Sequence, residues 1–238
     1  MLSKELTDIY RLLFERFGPQ HWWPGGSRFE IITGAILTQN TSWANVEKAI
    51  SNLRAARLLS PEKLYNMDVS ELSELIRPAG YYKVKARRLK NFLWWLFENY
   101  NGQLTALEKL GTEQLRDELL SIKGIGRETA DSILLYAFDR EVFVVDAYTA
   151  RIAARHGLIE PGADYEQLRD LFQSNLPPDT KLFNEYHALL VRAGKDYCRP
   201  KAKCSPSPSE SQTPSNRGGR GEDCPLNKLP HTLDVEHF

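Results

Sequence analysis

Leu119 to Ala130 reads LLSIKGIGRETA: an apolar helix runs out, a Gly-x-Gly turn intervenes, and a second helix opens near Arg127. Upstream, Thr112 is placed to cap a helix that sets Leu115, Leu119 and Leu120 on one face, and downstream Arg127 to Phe138 keeps helical apolar spacing. The two glycines allow positive φ and leave the backbone bare, so peptide N–H groups can come close to a ligand. With the N-terminus of the second helix they form an anion site suited to a phosphate oxygen. The same letters also serve a tight helix connection with no ligand, so the turn alone leaves function open.

On either side of the hairpin the signals stay helical. Ser27 to Glu30 reads as a capping box, followed by Phe29, Ile32, Ala35 and Ile36 at helical spacing and then by Val46, Ile50 and Leu53. Ser60-Pro61 marks another helix start, Asp68 with Glu71 a second capping box, and Tyr82 to Tyr100 a long helix ending at Asn101-Gly102. Val142 to Val145 is too short and isolated to build a sheet, so the class is all-α. Ser205 to Gly221 is rich in Ser, Pro and Gly, without apolar side chains to bury, and is expected to be disordered.

Composition narrows the class without naming a function. The 238 residues suffice for one large or two small domains; 42% are hydrophobic and 26% charged. Lys plus Arg and Asp plus Glu each number 31, so net charge neither advertises nor excludes a polyanionic partner. No uncharged apolar run approaches the roughly 18 residues of a membrane span, and the first residues lack a signal-peptide pattern. A cytoplasmic protein without a membrane partner is expected. The three cysteines, Cys198, Cys204 and Cys224, are an odd and clustered set, which argues against a disulfide framework.

Some twenty residues after the hairpin stands Val144-Val145-Asp146-Ala147-Tyr148-Thr149-Ala150-Arg151. Hairpin and aspartate at this separation resemble the helix-hairpin-helix DNA glycosylase superfamily, of which endonuclease III is the familiar member. There a "GxGxxTA" segment precedes a "VVD" or "AVD" carrying the catalytic aspartate, and the likeness runs from about Trp22 to Cys198. The resemblance gives Lys123, Gly124, Ile125, Gly126 and Arg127 the grip on a phosphate of double-stranded DNA, with a monovalent cation helping. It makes Asp146 the catalytic carboxylate. Asp146 is also a plausible N-cap for a helix from Ala147 to His156 ended by Gly157. The two roles agree, because a carboxylate at a helix N-terminus stays ionised. An ionised carboxylate can stabilise the oxocarbenium-like sugar left by a departing base and orient the attacking water.

The hairpin also bears on reaction type. Family members with lyase activity resemble one another in a lysine after "GxGR" or "GxGK", whose amine forms a Schiff base with the sugar. Here Gly126-Arg127 is followed by Glu128, which cannot form an imine, so hydrolysis without β-lyase activity is expected. Glu128 is assigned to the catalytic set, with a solvated first-turn charge as its alternative. The combination of Trp22-Trp23-Pro24, Leu37-Thr38-Gln39-Asn40-Thr41 and Glu128 looks like the 3-methyladenine DNA glycosylase III group. Arg77 to Leu89, RPAGYYKVKARRL, is similar to that family's "RPSGFYNQKAKRL". This implies a base pocket from Trp22, Trp23, Pro24 and Trp43, with Lys195 in reach, and a DNA contact at Gln39 and Asn40, Gln39 filling the gap left by the flipped base. An N-methylated purine is cationic, and an indole face attracts it by about 1–2 kcal/mol when desolvated. Trp94 and Trp95 are expected in the core, and Lys83, Lys85, Arg87, Arg88 and Lys90 on a solvated helix face or against phosphate.

Endonuclease III and many relatives hold a [4Fe–4S] cluster with cysteines spaced C-x6-C-x2-C-x5-C. Cys198 and Cys204 have one residue too few between them, Cys224-Pro225-Leu226 looks like the later "CPL", and Pro230 with His231 stands where the fourth ligand belongs. Either His231 or an external ligand completes a cluster with Cys198, Cys204 and Cys224, or the site is vestigial. The architecture implied is a central helical domain over 29–138, a second over 1–28 plus 139–197, a DNA cleft between them, and a cysteine tail over 198–238, as a monomer. Two rivals stand: a lyase-competent endonuclease III or mismatch glycosylase, and a hairpin module that binds DNA without catalysis.

Overall fold

A computed structural model of the chain describes residues 2–23, 25–201 and 224–232. Pro24, Cys204 and the segment 205–221 lie outside the described residues. Every regular element among them is a helix, and the chain is all-α: α1 (Leu2–Phe17), α2 (Arg28–Leu37), α3 (Trp43–Ala55), α4 (Pro61–Asn66), α5 (Val69–Leu75), a 3-10 turn (Arg77–Ala79), α6 (Tyr82–Tyr100), α7 (Leu104–Leu107), α8 (Thr112–Ser121), α9 (Arg127–Phe138), α10 (Ala147–Arg155), α11 (Tyr165–Gln173) and α12 (Thr180–Asp196). No described helix is long and apolar enough to cross a membrane.

Local chemistry sets most of these boundaries. The Ser27 and Ser60 hydroxyls accept from the N–H groups of Glu30 and Lys63, starting α2 and α4. Asn101 takes the left-handed conformation that ends α6, and Gly102 follows with φ of 75°. Three expected caps resolve differently. Glu30 does not close its box; its carboxylate pairs with Arg54 of α3. Asp68 accepts from Ser70, two residues on. Thr112 is the first residue of α8, and Gly111 stands at the cap. The described capping box is Asp164 with Gln167, at the start of α11.

The described residues divide into two compact units, one drawn from Met1–Trp22 and Glu141–Phe238, the other from Trp23–Arg140. In the second, α2 is buried on all sides from Phe29 to Leu37 except Ile31, as befits a helix at the centre of its unit; α9 packs against it. In the first, α1 and α10 pack on α12. Phe143, in the Val142–Val145 stretch that is buried but forms no strand, stacks on Phe172 at 4.2 Å and meets Phe183 and Tyr186 edge-on.

Two expectations about α6 fail for one geometric reason. Its inward face carries Leu89, Phe92, Leu93 and Leu96; Trp95 sits at the edge of that face, and Trp94, one step further round, is 60% exposed. Trp94 is therefore a surface residue. The basic residues of α6 do not form a solvated face. Only Lys83 and Arg87 are exposed, whereas Lys85 is buried and donates to the carbonyls of Leu37 and Ala79 at 2.8 and 2.7 Å. Lys90 caps the carbonyls of Leu64, Tyr65 and Met67 at the end of α4.

Candidate active site

The hairpin is held from beneath by a pair that local sequence does not reveal. Arg116 of α8 donates through Nε and Nη2 to the two carboxylate oxygens of Asp131 on α9, at 2.7 and 3.2 Å, both side chains being buried. Ile125 is buried and anchors the turn in the core, while Lys123, Gly126, Arg127 and Glu128 lie exposed. Gly124 has φ of +101°, and a Cβ there would stand 2.4 Å from Cγ of Arg88. Gly126 is extended, with open space at its missing Cβ, and as N-cap of α9 brings no side-chain acceptor to the first turn. The N–H groups of that turn are the ones a helix leaves without intrahelical partners.

Gln39, in the turn after α2, lies on this hairpin. Its Nε2 donates to the Gly124 carbonyl at 3.0 Å and to the Thr129 hydroxyl at 2.8 Å, and its Oε1 accepts from Nη1 of Arg88. Asn40 is exposed with φ of +52°. Asn91 of α6 adds a bond to the Lys123 carbonyl at 2.8 Å. Lys85 pins the end of α2 two residues before Gln39, and burial, with the nearby Arg88 charge, lowers its pKa to about 8. Tyr81, 71% exposed at a left-handed backbone position ahead of α6, precedes Val84 and Arg88 on one face.

The expected aromatic residues are brought together in part. Trp23 meets Trp43 edge-on at 4.9 Å and Tyr136 of α9 at 5.0 Å. The Trp23 indole rests on Gly34 of α2, where a Cβ would come within 3.0 Å of the ring. Trp22 is half-buried and falls in the other unit, as does Lys195, exposed in the last turn of α12.

Asp146 is the N-cap of α10. Its Oδ1 accepts from the N–H groups of Tyr148 and Thr149 at 2.9 and 2.8 Å and from the Thr149 hydroxyl at 3.0 Å. Its Oδ2 faces Nε2 of His187, 3.6 Å away on α12, and both side chains are largely buried. The packing behind this is close, since a Cβ on Gly194 of α12 would strike the Tyr148 ring at 2.4 Å. Burial pushes the Asp146 carboxyl up, but His187 and the Thr149 bonds outweigh it and hold the group below the usual carboxylate range. The result is an ionised carboxylate with one oxygen committed to the helix and the other directed elsewhere. His187 and Tyr136 escaped the sequence reading, as did the contacts of Arg88 and Thr129 with Gln39, because each acts across a large sequence separation.

Cys198, Cys224 and His231 line one cavity of about 10 Å³ together with Arg155, His156 and Asn227, room for about one water. Arg155 donates to the Cys198 sulfur at 3.1 Å and to the carbonyls of Arg199 and Pro200 at 2.8 Å each. No three His, Cys, Asp or Glu side chains among the described residues are grouped to hold a metal ion. Among the described residues, Cys198, Cys224 and His231 around a cavity of one water, with a guanidinium on the sulfur, do not fit a [4Fe–4S] cube.

Comparison with known proteins places the chain. The pattern of the HhH-GPD superfamily base excision DNA repair protein matches residues 33–178, from within α2 through the hairpin and Asp146. The chain is 53% identical over 204 residues to a Methanocaldococcus jannaschii protein provisionally named a DNA repair glycosylase, covering 85% of this chain and 93% of that one. It is 26% identical over 196 residues to endonuclease III of Thermotoga maritima, covering 82% and 85%. Among solved structures, H. pylori 3-methyladenine DNA glycosylase bound to 1,N6-ethenoadenine superposes with a TM-score of 0.69 at 29% identity, over 82% of this chain and 97% of that one. The chain belongs to the HhH-GPD superfamily of base excision DNA repair proteins, among its DNA glycosylases.

Proposed function

We propose that this glycosylase extrudes an alkylated, 3-methyladenine-like base from duplex DNA and hydrolyses its N-glycosidic bond without lyase chemistry. The observation that carries the reading is Asp146, a buried carboxylate held ionised with Oδ2 turned away from its helix. Hairpin amides and the first turn of α9 receive a backbone phosphate, and the Lys123 and Gly124 carbonyls keep a second lone pair for a monovalent cation. Gln39 fills the gap left by the base. The extruded ring stacks on the Trp23–Trp43 edge pair, where a cationic N-methylated purine gains from the indole faces. Such a base is already an activated leaving group, so the main requirement is an anion beside the developing oxocarbenium ion, which Asp146 supplies.

Glu128, exposed in the first turn of α9, stands where a Schiff-base lysine would be needed, and its carboxylate can form no imine. The tail takes no part in the chemistry, and the proposed protein works without a cluster. Absorbance near 400 nm and iron in anaerobically purified protein would contradict that. Single-turnover assays on duplexes containing 3-methyladenine, a G·T mismatch, thymine glycol and an abasic site, with borohydride present, test the substrate and the mechanism together. Release of 3-methyladenine without a trapped adduct is expected. A covalent adduct, or cleavage confined to thymine glycol, favours the endonuclease III-like alternative.

A further inference from the structure

Gln39 cannot act as a gap filler in the position it holds on the hairpin. A glutamine amide has two N–H donors, and here both are committed, one to the Gly124 carbonyl and one to the Thr129 hydroxyl, while Arg88 donates to the oxygen. An amide that enters the base stack to replace an extruded nucleotide must give these bonds up. The Arg88 stem packs where Gly124 lacks a side chain, so the arginine touching Gln39 also touches the turn that receives phosphate.

We infer that Arg88 and Thr129 are positioning residues that park Gln39 on the hairpin, so that leaving this dock is a step in base extrusion. The inference rests on Gln39 being the gap filler. It follows that weakening the dock speeds extrusion, as long as Gln39 is present to enter. Hydrogen bonds of this kind, one of them charge-assisted, set the scale at about fivefold to tenfold in rate for the loss of one partner.

The test is stopped-flow fluorescence on a duplex carrying 2-aminopurine as the extruded base, with the full chain and four variants. Gln39→Ala should slow extrusion. Arg88→Met, which keeps the stem beneath Gly124, and Thr129→Val, which keeps the shape and changes no charge, should each speed it by about fivefold to tenfold. In the double variant Gln39→Ala with Arg88→Met the gain should vanish. If Gln39→Ala slows extrusion but Arg88→Met and Thr129→Val leave it unchanged or slower, the dock is overturned while the gap-filling role stands. If Gln39→Ala has no effect, the gap-filling role itself fails and takes the dock with it. Melting curves of each variant identify any whose rate change comes from unfolding, and Thr129→Val then decides in place of Arg88→Met.

Discussion

Helices α9 and α10 begin alike and end up in opposite electrostatic states. Both start from an extended residue, Gly126 with φ −98° and ψ 179° and Asp146 with φ −131° and ψ −179°. Each points the positive end of its dipole toward that residue. At α10 the chain fills the N-terminus with its own carboxylate; at α9 the cap is a glycine with open space around it and no side-chain acceptor. The same backbone device thus carries a resident anion at its cap in one unit and a glycine without a side chain at its cap in the other. A single atom group decides which.

The largest effect should come from spoiling the resident anion while leaving the cap. Asp146→Asn keeps an acceptor for Tyr148 and Thr149 but removes the charge. Base release in single turnover should fall by about 10²–10³-fold, with a melting temperature close to that of the parent. A fall in activity that tracks lost folded protein would reduce Asp146 to a cap. Next comes the foundation of the glycine-capped terminus. Asp131→Asn strands the buried Arg116 guanidinium, and chemical denaturation should show a loss of about 3–5 kcal/mol. An unchanged unfolding midpoint would mean the clamp does not hold the hairpin.

The far end of α10 offers a pH test of intermediate size. Burial of His156, only partly offset by its bond to the Pro230 carbonyl, lowers its pKa to about 4. The folded state therefore prefers the neutral ring. Its contribution is fully present above the unfolded value of about 6.5 and is lost as pH falls from there toward 4. Asp146 shifts in the opposite window, below the ordinary carboxylate value, so it does not confuse the reading. Urea unfolding at pH 7 and pH 5 should differ by on the order of 1–2 kcal/mol from this group, and His156→Asn should shrink the difference. The smallest change converts one terminus into the other. Gly126→Asp gives α9 its own anion and should stabilise the fold by about 0.5 kcal/mol. It should also weaken DNA binding and lower the salt slope by about one, because the phosphate meets an occupied site. Gains in both stability and affinity would break the comparison.

Much of this was legible in the chain's own letters. Helix bounds such as Tyr82–Tyr100 and Arg127–Phe138 follow from glycines, caps and apolar period, which are local signals. The hairpin and Asp146 stood out because each combines a backbone requirement with a chemical one. What stayed hidden was nonlocal. Nothing near Asp131 announces Arg116, and nothing near Asp146 announces His187, forty-one residues on. Trp94 was misplaced because adjacent tryptophans on a helix point 100° apart, so a face can take one and reject its neighbour. Lys85 was misplaced because a lysine on the inward face reads as surface until the carbonyls that receive it are known.

Arg155 carries a consequence for how this protein can vary. Its guanidinium holds the chain at Cys198, Arg199 and Pro200, and its own carbonyl accepts from the N–H of Thr232. One residue at the end of α10 therefore ties Cys198–Pro200 and Thr232 to the same helix, much as a staple would. Two stretches of chain more than thirty residues apart in sequence therefore depend on a single position, and a change there reaches both at once.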